Sequence, residues 1–201
     1  RQRQMCIRDS FLIVVGVLIF HAVFTYSLLL TSLAKINPFI FFSKMREAII
    51  FAFSTSSSSA TMPVTLKTVE EKLGVDKSIS SFCIPLGTTI NMDGTAIMQG
   101  VATVFIAQVY QVDLSMMEYL MVIITATLAS IVTAGVPGVG LIMLAMVLQQ
   151  VGLPVEGIAL IIGVDRLLDM LRTAVNVSGD ATISCIVANS ENQLSRKDFI
   201  S

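Results

Sequence analysis

Asp165, Asp169, Arg172, Asn176 and Asp180 stand inside an otherwise apolar segment near the end of the chain. At about 100° per residue, their spacing confines them to a stripe roughly 80° wide on one face of a helix. An ionisable group at a bilayer centre costs roughly 2.5–3.5 kcal/mol on the insertion scale. Three carboxylates and a guanidinium on one membrane helix therefore have to face a protein interior and meet partners there. Such a stripe is either a structural ion-pair cluster or a buried binding site for small charged solutes. The residue types favour a binding site. Arg172 suits a carboxylate through two parallel hydrogen bonds, Asp169 suits an ammonium group, and Asp180 and Asn176 offer oxygens to a hard cation such as Na⁺.

The rest of the chain has to supply that interior. Hydrophobic residues make up 54% and charged residues 13%, with a mean hydropathy of +0.82. Soluble domains carry about 25% charged residues, so this is the composition of an integral, multi-pass membrane protein with the lipid bilayer as a partner. The net charge is −1 and no basic patch suggests nucleic acid. Cys6, Cys83 and Cys185 are isolated, with neither CxxC nor metal-ligand spacing. Cys83 and Cys185 read as free thiols packed among apolar neighbours. His21 is the sole histidine; without a nearby Cys or second His it reads as a helix-surface or packing residue.

The hydropathy pattern divides the chain. Residues 1–10 are polar and read as a foreign or leader segment outside the fold. Residues 11–34 form a transmembrane helix long enough to span a bilayer with some tilt. Residues 35–76 hold two shorter arms, 38–53 and 64–73, around a serine-rich break at 54–63. Residues 77–112 form an apolar segment unwound at Asn91-Met92-Asp93-Gly94-Thr95. Residues 113–152 are broken in turn at Thr133-Ala134-Gly135-Val136-Pro137-Gly138-Val139-Gly140. Residues 153–190 carry the charged-face helix, expected to run from 153 to 188, and residues 191–201 form a polar cytoplasmic tail.

The positive charges suggest how the two broken segments run. Lys35, Lys44 and Arg46 precede the first break, and Lys67, Lys72 and Lys77 follow it. If the segment enters the membrane and returns, all six lie on one side, together with Arg196 and Lys197. The positive-inside rule makes that side cytoplasmic. The connections around Asp113 and Glu118, and around Gly152 and Glu156, contain no Lys or Arg. Two re-entrant hairpins entering from opposite faces form an inverted repeat of the kind that carries a site near the bilayer midplane; two ordinary kinked helices are the plainer alternative. Non-helical backbone survives at membrane depth where protein or a water-filled cavity satisfies it. The N–H groups of such breaks suit carboxylates, and their carbonyls suit hard cations.

Four motifs stand in order: Ser56-Ser57-Ser58-Ser59-Ala60-Thr61-Met62-Pro63-Val64-Thr65, then Asn91-Met92-Asp93-Gly94-Thr95, then Ala134-Gly135-Val136-Pro137-Gly138, and last Asp169-Met170-Leu171-Arg172-Thr173-Ala174-Val175-Asn176-Val177-Ser178-Gly179-Asp180. Together they resemble the dicarboxylate/amino acid:cation symporter family, which includes the glutamate transporters, over about residues 11–190. The resemblance implies an all-α membrane protein whose transmembrane helices and two re-entrant hairpins form an elevator-type transporter core. It implies a homotrimer in the inner (plasma) membrane, uptake driven by a Na⁺ or H⁺ gradient, and earlier membrane helices ahead of residue 11. Substrate contacts are implied at Ser56, Ser57 and Ser58 on the first tip. The gate is implied at Val136, Pro137, Gly138, Val139 and Gly140. Thr95 and Arg172 would meet the substrate's side-chain carboxylate and Asp169 its amino group, while Thr173 and Asn176 would meet its remaining polar groups. Asp165 would orient Arg172. One sodium site is implied at Gly87, Asn91, Asn176 and Asp180, and a second at Thr89, Ser130, Ile131 and Thr133. Asn91 and Asp93 would contribute to a third, completed by a helix upstream.

Having both Asp169 and Arg172 favours glutamate or aspartate as the substrate. C4-dicarboxylate members resemble this motif but usually lack the acid, and neutral amino acid members usually lack the arginine. Archaeal members carry an arginine where Ser56 stands, and animal members carry one where Met170 stands. This chain has neither and places Arg166 beside Asp165. An intramembrane aspartyl protease built on Asp93 and Asp165 is the alternative from another class, but Gly163-Val164-Asp165 does not supply its GxGD-type motif. A serine intramembrane protease would lack its histidine, and a structural fragment without transport is a third possibility.

Overall fold

The computed structural model describes residues 2–196 and 199, with side chains from residue 8; Lys197 and the side chain of Cys6 lie outside the described residues. Among the described residues the chain is helical, apart from a single antiparallel bridge between Val75 and Leu194. The first rod comprises α1 (Gln2–Phe20), a π-helical turn (His21–Thr25), α2 (Tyr26–Leu29) and a second π turn (Leu30–Ala34). It stops at Lys35, whose φ of 57° is left-handed. Among the described residues, its stretch Arg8–Ala34 is the helix long and apolar enough to cross a membrane by itself. The rod runs through residues 2–10 without a break and Ser10 is already buried. The expected boundary at residue 11 therefore has no counterpart in the backbone: polar residues end an apolar run without ending a helix.

Asn37 caps α3 (Pro38–Thr55), accepting a hydrogen bond from the Phe39 amide, with Pro38 at the first helical position where its missing N–H is harmless. The helix ends at Ser56 (φ 52°) and restarts after Ser57, which caps α4 (Ser58–Glu71) through the Ala60 amide. The break is thus two residues long, shorter than the expected 54–63. Pro63 sits inside α4. A proline disturbs the carbonyl four residues before it, here Ser59, so the disturbance falls in the first turn of α4 beside the tip.

The next segment is α5 (Lys77–Ile90), a break at Asn91 and Met92, and α6 (Asp93–Val109). Then α7 (Met116–Ile131) starts from a capping box of Ser115 and Glu118. Gly138, at φ 82°, turns the chain into α8 (Val139–Gln150). Gly152 (φ 70°) and Pro154 then lead through a 3₁₀ segment (Val155–Leu160) to α9 (Ile162–Ser190). The charged helix therefore begins at Ile162 and not at 153, because the left-handed glycine and the proline hold residues 152–161 out of the α-helix.

Helix α9 is the axis of the molecule, and every residue from Arg172 to Thr182 is buried. Such a helix is enclosed all round by protein. On one side α3, α4 and α5 pack against it through Phe41, Met45, Val69, Leu73 and Ile84 with Ala181 and Cys185. On the other, α1, α6 and α8 pack through Val14, Leu18, Met98, Ile106 and Leu144 with Leu168. A small cluster of Val122, Ala126, Ala129 and Val147 joins α7 to α8. Outside, Phe20, Phe39, Phe82, Met116 and Leu128 are exposed. Apolar groups face outward, while Asp165, Asp169, Arg172 and Asp180 face inward, the arrangement that hydrocarbon surroundings demand of charges at membrane depth.

Candidate functional site

Arg172 is the largest fully buried side chain, only 1% exposed. Its Nη2 donates to Asp169 Oδ1 at 2.8 Å, one turn earlier on α9. Its Nη1 lies 3.1 Å from Asp165 Oδ1, an ion pair whose angle is poor for a hydrogen bond. Two buried carboxylates thus hold one guanidinium, and Nε has no partner among the described residues. Removing one member of such a set leaves a buried charge uncompensated. Thr173, the next residue, donates its hydroxyl to the Asp169 carbonyl at 2.8 Å.

The two helix breaks meet over this cluster. Ser57 Oγ donates to the Gly135 carbonyl at 2.8 Å, and the Ser59 amide donates to the same oxygen at 3.1 Å. The Gly138 amide, at the start of α8, donates to Asp169 Oδ2 at 3.0 Å. A carboxylate there is favoured by the positive end of the helix. Gly140 lies against the guanidinium: a Cβ at that position would come 3.1 Å from Arg172 Nη2. Between the tips and α9 is a small cavity of about 20 Å³, lined by Ser56, Ser58, Thr95, Gly135, Asp169 and Asn176 among others. Ser56 Oγ is buried without a partner among the described residues. The cavity has room for about one water. A larger groove of about 540 Å³ lies elsewhere, between Ile13, Phe105 and Tyr119, and contains none of the α9 charges.

Behind the cavity, the α5–α6 break docks onto α9. Asn91 Nδ2 donates to Asp180 Oδ1 at 2.9 Å, while Asp180 Oδ2 is buried with no well-aligned hydrogen bond among the described residues, the Thr88 hydroxyl lying beside the carboxylate. Asn176 Oδ1 accepts from the Gly94 amide at 2.8 Å, and its Nδ2 reaches Met92 Sδ at 3.2 Å and Thr95 Oγ1 at 3.4 Å. A Cβ on Gly87 would come 2.5 Å from Asp180 Oδ1, so Gly87, Asn91, Asn176 and Asp180 are neighbours. The set of Thr89, Ser130, Ile131 and Thr133 is looser. Thr89 is exposed with its hydroxyl on the Pro85 carbonyl, and Ile131 is exposed. Ser130 and Thr133 are buried, with hydroxyls on Thr127 and Ala129 carbonyls of their own segment. Val136 and Pro137 lie exposed at the outer edge of the second tip.

Asp93 has partners that its sequence neighbourhood does not reveal. Its Oδ2 lies 2.8 Å from His21 Nε2 and also accepts from the Tyr26 hydroxyl. His21 is therefore part of a polar cluster and not a simple packing residue. The separation of 72 residues left no local signal. Asp93 and Asp165 engage different partners, His21 and Tyr26 for one and Arg172 for the other. They form no dyad of the kind a protease requires.

The all-helical fold and its inward-turned charges fit a membrane-embedded helical protein. A family model described as the sodium:dicarboxylate symporter family matches residues 7–190, and the chain belongs to that family. The match starts four residues before the boundary expected at residue 11. The chain is 48% identical to excitatory amino acid transporter 1 of Rattus norvegicus over 187 residues, 92% of this chain and 34% of the relative. It is 48% identical to excitatory amino acid transporter 3 of Oryctolagus cuniculus over 89% of this chain and 33% of that one. It is 45% identical to excitatory amino acid transporter 5 of Homo sapiens over 90% and 32%. The chain thus spans about a third of the length of these relatives. The family consists of symporters, so the enzyme reading falls away.

Proposed function

We propose that this chain is the substrate-binding core of a secondary symporter for acidic amino acids, glutamate or aspartate, driven by sodium. The observation that carries this is Arg172, fully buried between Asp165 and Asp169 directly beneath two joined helix tips. A carboxylate on the substrate would take the guanidinium from Asp169, and Asp169 would be left for the substrate's ammonium group. Thr95, Thr173 and Asn176 would meet the remaining polar groups. Backbone groups of Ser56, Ser57 and Ser58 on one tip, and of Val136, Pro137, Gly138, Val139 and Gly140 on the other, would close over it. The cavity of about 20 Å³ is too small for an amino acid, so binding requires the tips to part.

Arg172 is paired with Asp165 and Asp169, while Asp93 and Asp180 contact no guanidinium among the described residues and have His21, Tyr26 and Asn91 as partners. That surplus of negative charge is what small cations would offset. Gly87, Asn91, Asn176 and Asp180 would form the best assembled sodium site, since Asp180 Oδ2 has no well-aligned hydrogen bond among the described residues. Asn91 and Asp93 would serve another, and Thr89, Ser130, Ile131 and Thr133 one that assembles only when the second tip moves. Helices α7 and α8, of 16 and 12 residues, are about 24 and 18 Å long, short of a 30 Å hydrocarbon core. This supports the reading of residues 113–152 as a re-entrant hairpin, with residues 35–76 as its counterpart. The loaded, closed module would then slide across a scaffold supplied by the rest of a trimeric protein in the plasma (inner) membrane.

The test is uptake of labelled aspartate by the full-length protein in proteoliposomes. Inward sodium should drive accumulation. Uptake that persists undiminished after both sodium and proton gradients are abolished would overturn coupling; uptake that follows the proton gradient alone would transfer the coupling to H⁺.

A further inference from the structure

Three donors converge on the Asp93 carboxylate at the start of α6. The Gly94 amide reaches Oδ1 at 2.9 Å. His21 Nε2, at 2.8 Å, and the Tyr26 hydroxyl both reach Oδ2. A carboxylate offers about four lone-pair sites, so Oδ2 is filled and Oδ1 keeps one. A cation binds through those same lone pairs. The Tyr26 hydroxyl has one proton but two acceptors, because the Val175 carbonyl lies 3.1 Å from it.

A special backbone feature builds this arrangement. On a regular α-helix, residues five apart point about 140° away from each other. Here the Tyr26 amide donates to the His21 carbonyl, closing a π turn. That wider turn brings the fifth residue back over the first, and the two rings meet edge to face at 4.9 Å. Gly179 of α9 leaves the space: a Cβ there would come 2.7 Å from the Tyr26 oxygen and 2.6 Å from Asn91 Nδ2. Tyr26 is 3% exposed.

We propose that Tyr26, assisted by His21, is a positioning residue that competes with sodium for Asp93. Without the cation the phenol O–H closes Oδ2. When sodium takes that oxygen, the O–H turns to the Val175 carbonyl. This rests on the sodium-coupled reading above. It has an unusual consequence: deleting the hydroxyl tightens cation binding, whereas structural damage would weaken it.

The experiment compares wild type, Tyr26→Phe and His21→Leu in the full-length protein, measuring aspartate uptake against sodium concentration in proteoliposomes. Half-saturating sodium falls about tenfold in Tyr26→Phe, the scale of one hydrogen bond to a charged group, and falls less in His21→Leu. The aspartate KM at saturating sodium moves far less than the sodium half-saturation. Should Tyr26→Phe fail to reach the membrane, the direction of the His21→Leu shift decides. A half-saturation unchanged or raised against a sodium-dependent wild type overturns the competition and leaves the coupling intact. A wild type indifferent to sodium overturns the coupling reading and, with it, this one.

Discussion

Ser57 Oγ donates to the carbonyl of Gly135 across 2.8 Å, joining two helix breaks that are 78 residues apart in the sequence. The Ser59 amide shares that acceptor. Both tips end helices that lie against α9, so this junction is the roof of the cavity beneath. Access to Arg172 from the tip side therefore requires the junction to open.

A crosslink tests that requirement. A Cβ built on Gly135 lies 3.2 Å from the Ser58 Cβ, a few tenths of an ångström inside the usual disulfide span of about 3.5–4.5 Å. With Cys6, Cys83 and Cys185 changed to serine, Ser58→Cys combined with Gly135→Cys should oxidise readily. Aspartate uptake should then vanish on oxidation and return on reduction. Full uptake by the fully crosslinked protein would show that substrate enters by another route.

Arg172 holds Asp165 and Asp169 from two sides of one planar group. Lysine keeps the charge but not the fork. Arg172→Lys should raise the aspartate KM by about tenfold or more, the scale of losing one charge-assisted hydrogen bond. Arg172→Cys should abolish acidic amino acid uptake and spare neutral amino acids. It also removes the partner of two buried carboxylates, which costs about 3–5 kcal/mol when such a pair is broken, so the unfolding temperature should fall. An aspartate KM unchanged in either variant would remove Arg172 from the substrate.

How far the sequence reveals this site depends on whether the geometry is local. Asp165, Asp169, Arg172, Asn176 and Asp180 belong to one helix, and its fixed turn per residue puts them on one face. The breaks at Ser56, Asn91 and Gly138 are visible in residues that cap helices or accept left-handed backbone. Partners across the fold leave no such trace. His21 and Tyr26 reach Asp93 only because a π turn rotates them together, and apolar periodicity does not reveal a π turn. Thr89 sits beside the break in sequence yet lies on the outer face of α5. Pro63 reads as a stop but lies within α4, and residues 153–161 read as helix but are held out by Gly152 and Pro154.

The link between the hairpin of α3 and α4 and the start of α5 contains a titratable cap. Asp76 accepts from the Ser78 amide at 2.8 Å and the Ser78 hydroxyl at 2.6 Å. Those bonds hold its carboxyl below the ordinary value of 3.8. A depressed carboxylate stabilises the fold above its unfolded value and loses that contribution as pH falls through the folded one. The first turn of α5 should therefore fray below about pH 3.8. Asp76→Asn keeps the cap at every pH. Amide hydrogen exchange at Ser78 to Ser80 should show acid-dependent loosening in wild type and none in Asp76→Asn; equal profiles would remove Asp76 as the cause.

Gly87 tests the cation site without removing a charge. Asp180 accepts from Asn91 Nδ2 at 2.9 Å, and a Cβ on Gly87 would intrude to 2.5 Å from the same carboxylate oxygen. Asp180 is buried on an axis helix that is packed on every side, so only its carboxylate has freedom to yield. Gly87→Ala should push that carboxylate off Asn91, and the sodium half-saturation should rise by about tenfold, the scale of one lost charge-assisted hydrogen bond. Gly100, where a Cβ meets nothing within 4 Å, is the matched control: Gly100→Ala introduces the same methyl on α6 and should leave the sodium dependence alone. Since Gly87 does not line the cavity, the aspartate KM at saturating sodium should change little. A Gly87→Ala protein with wild-type sodium dependence would place the cation away from Asp180.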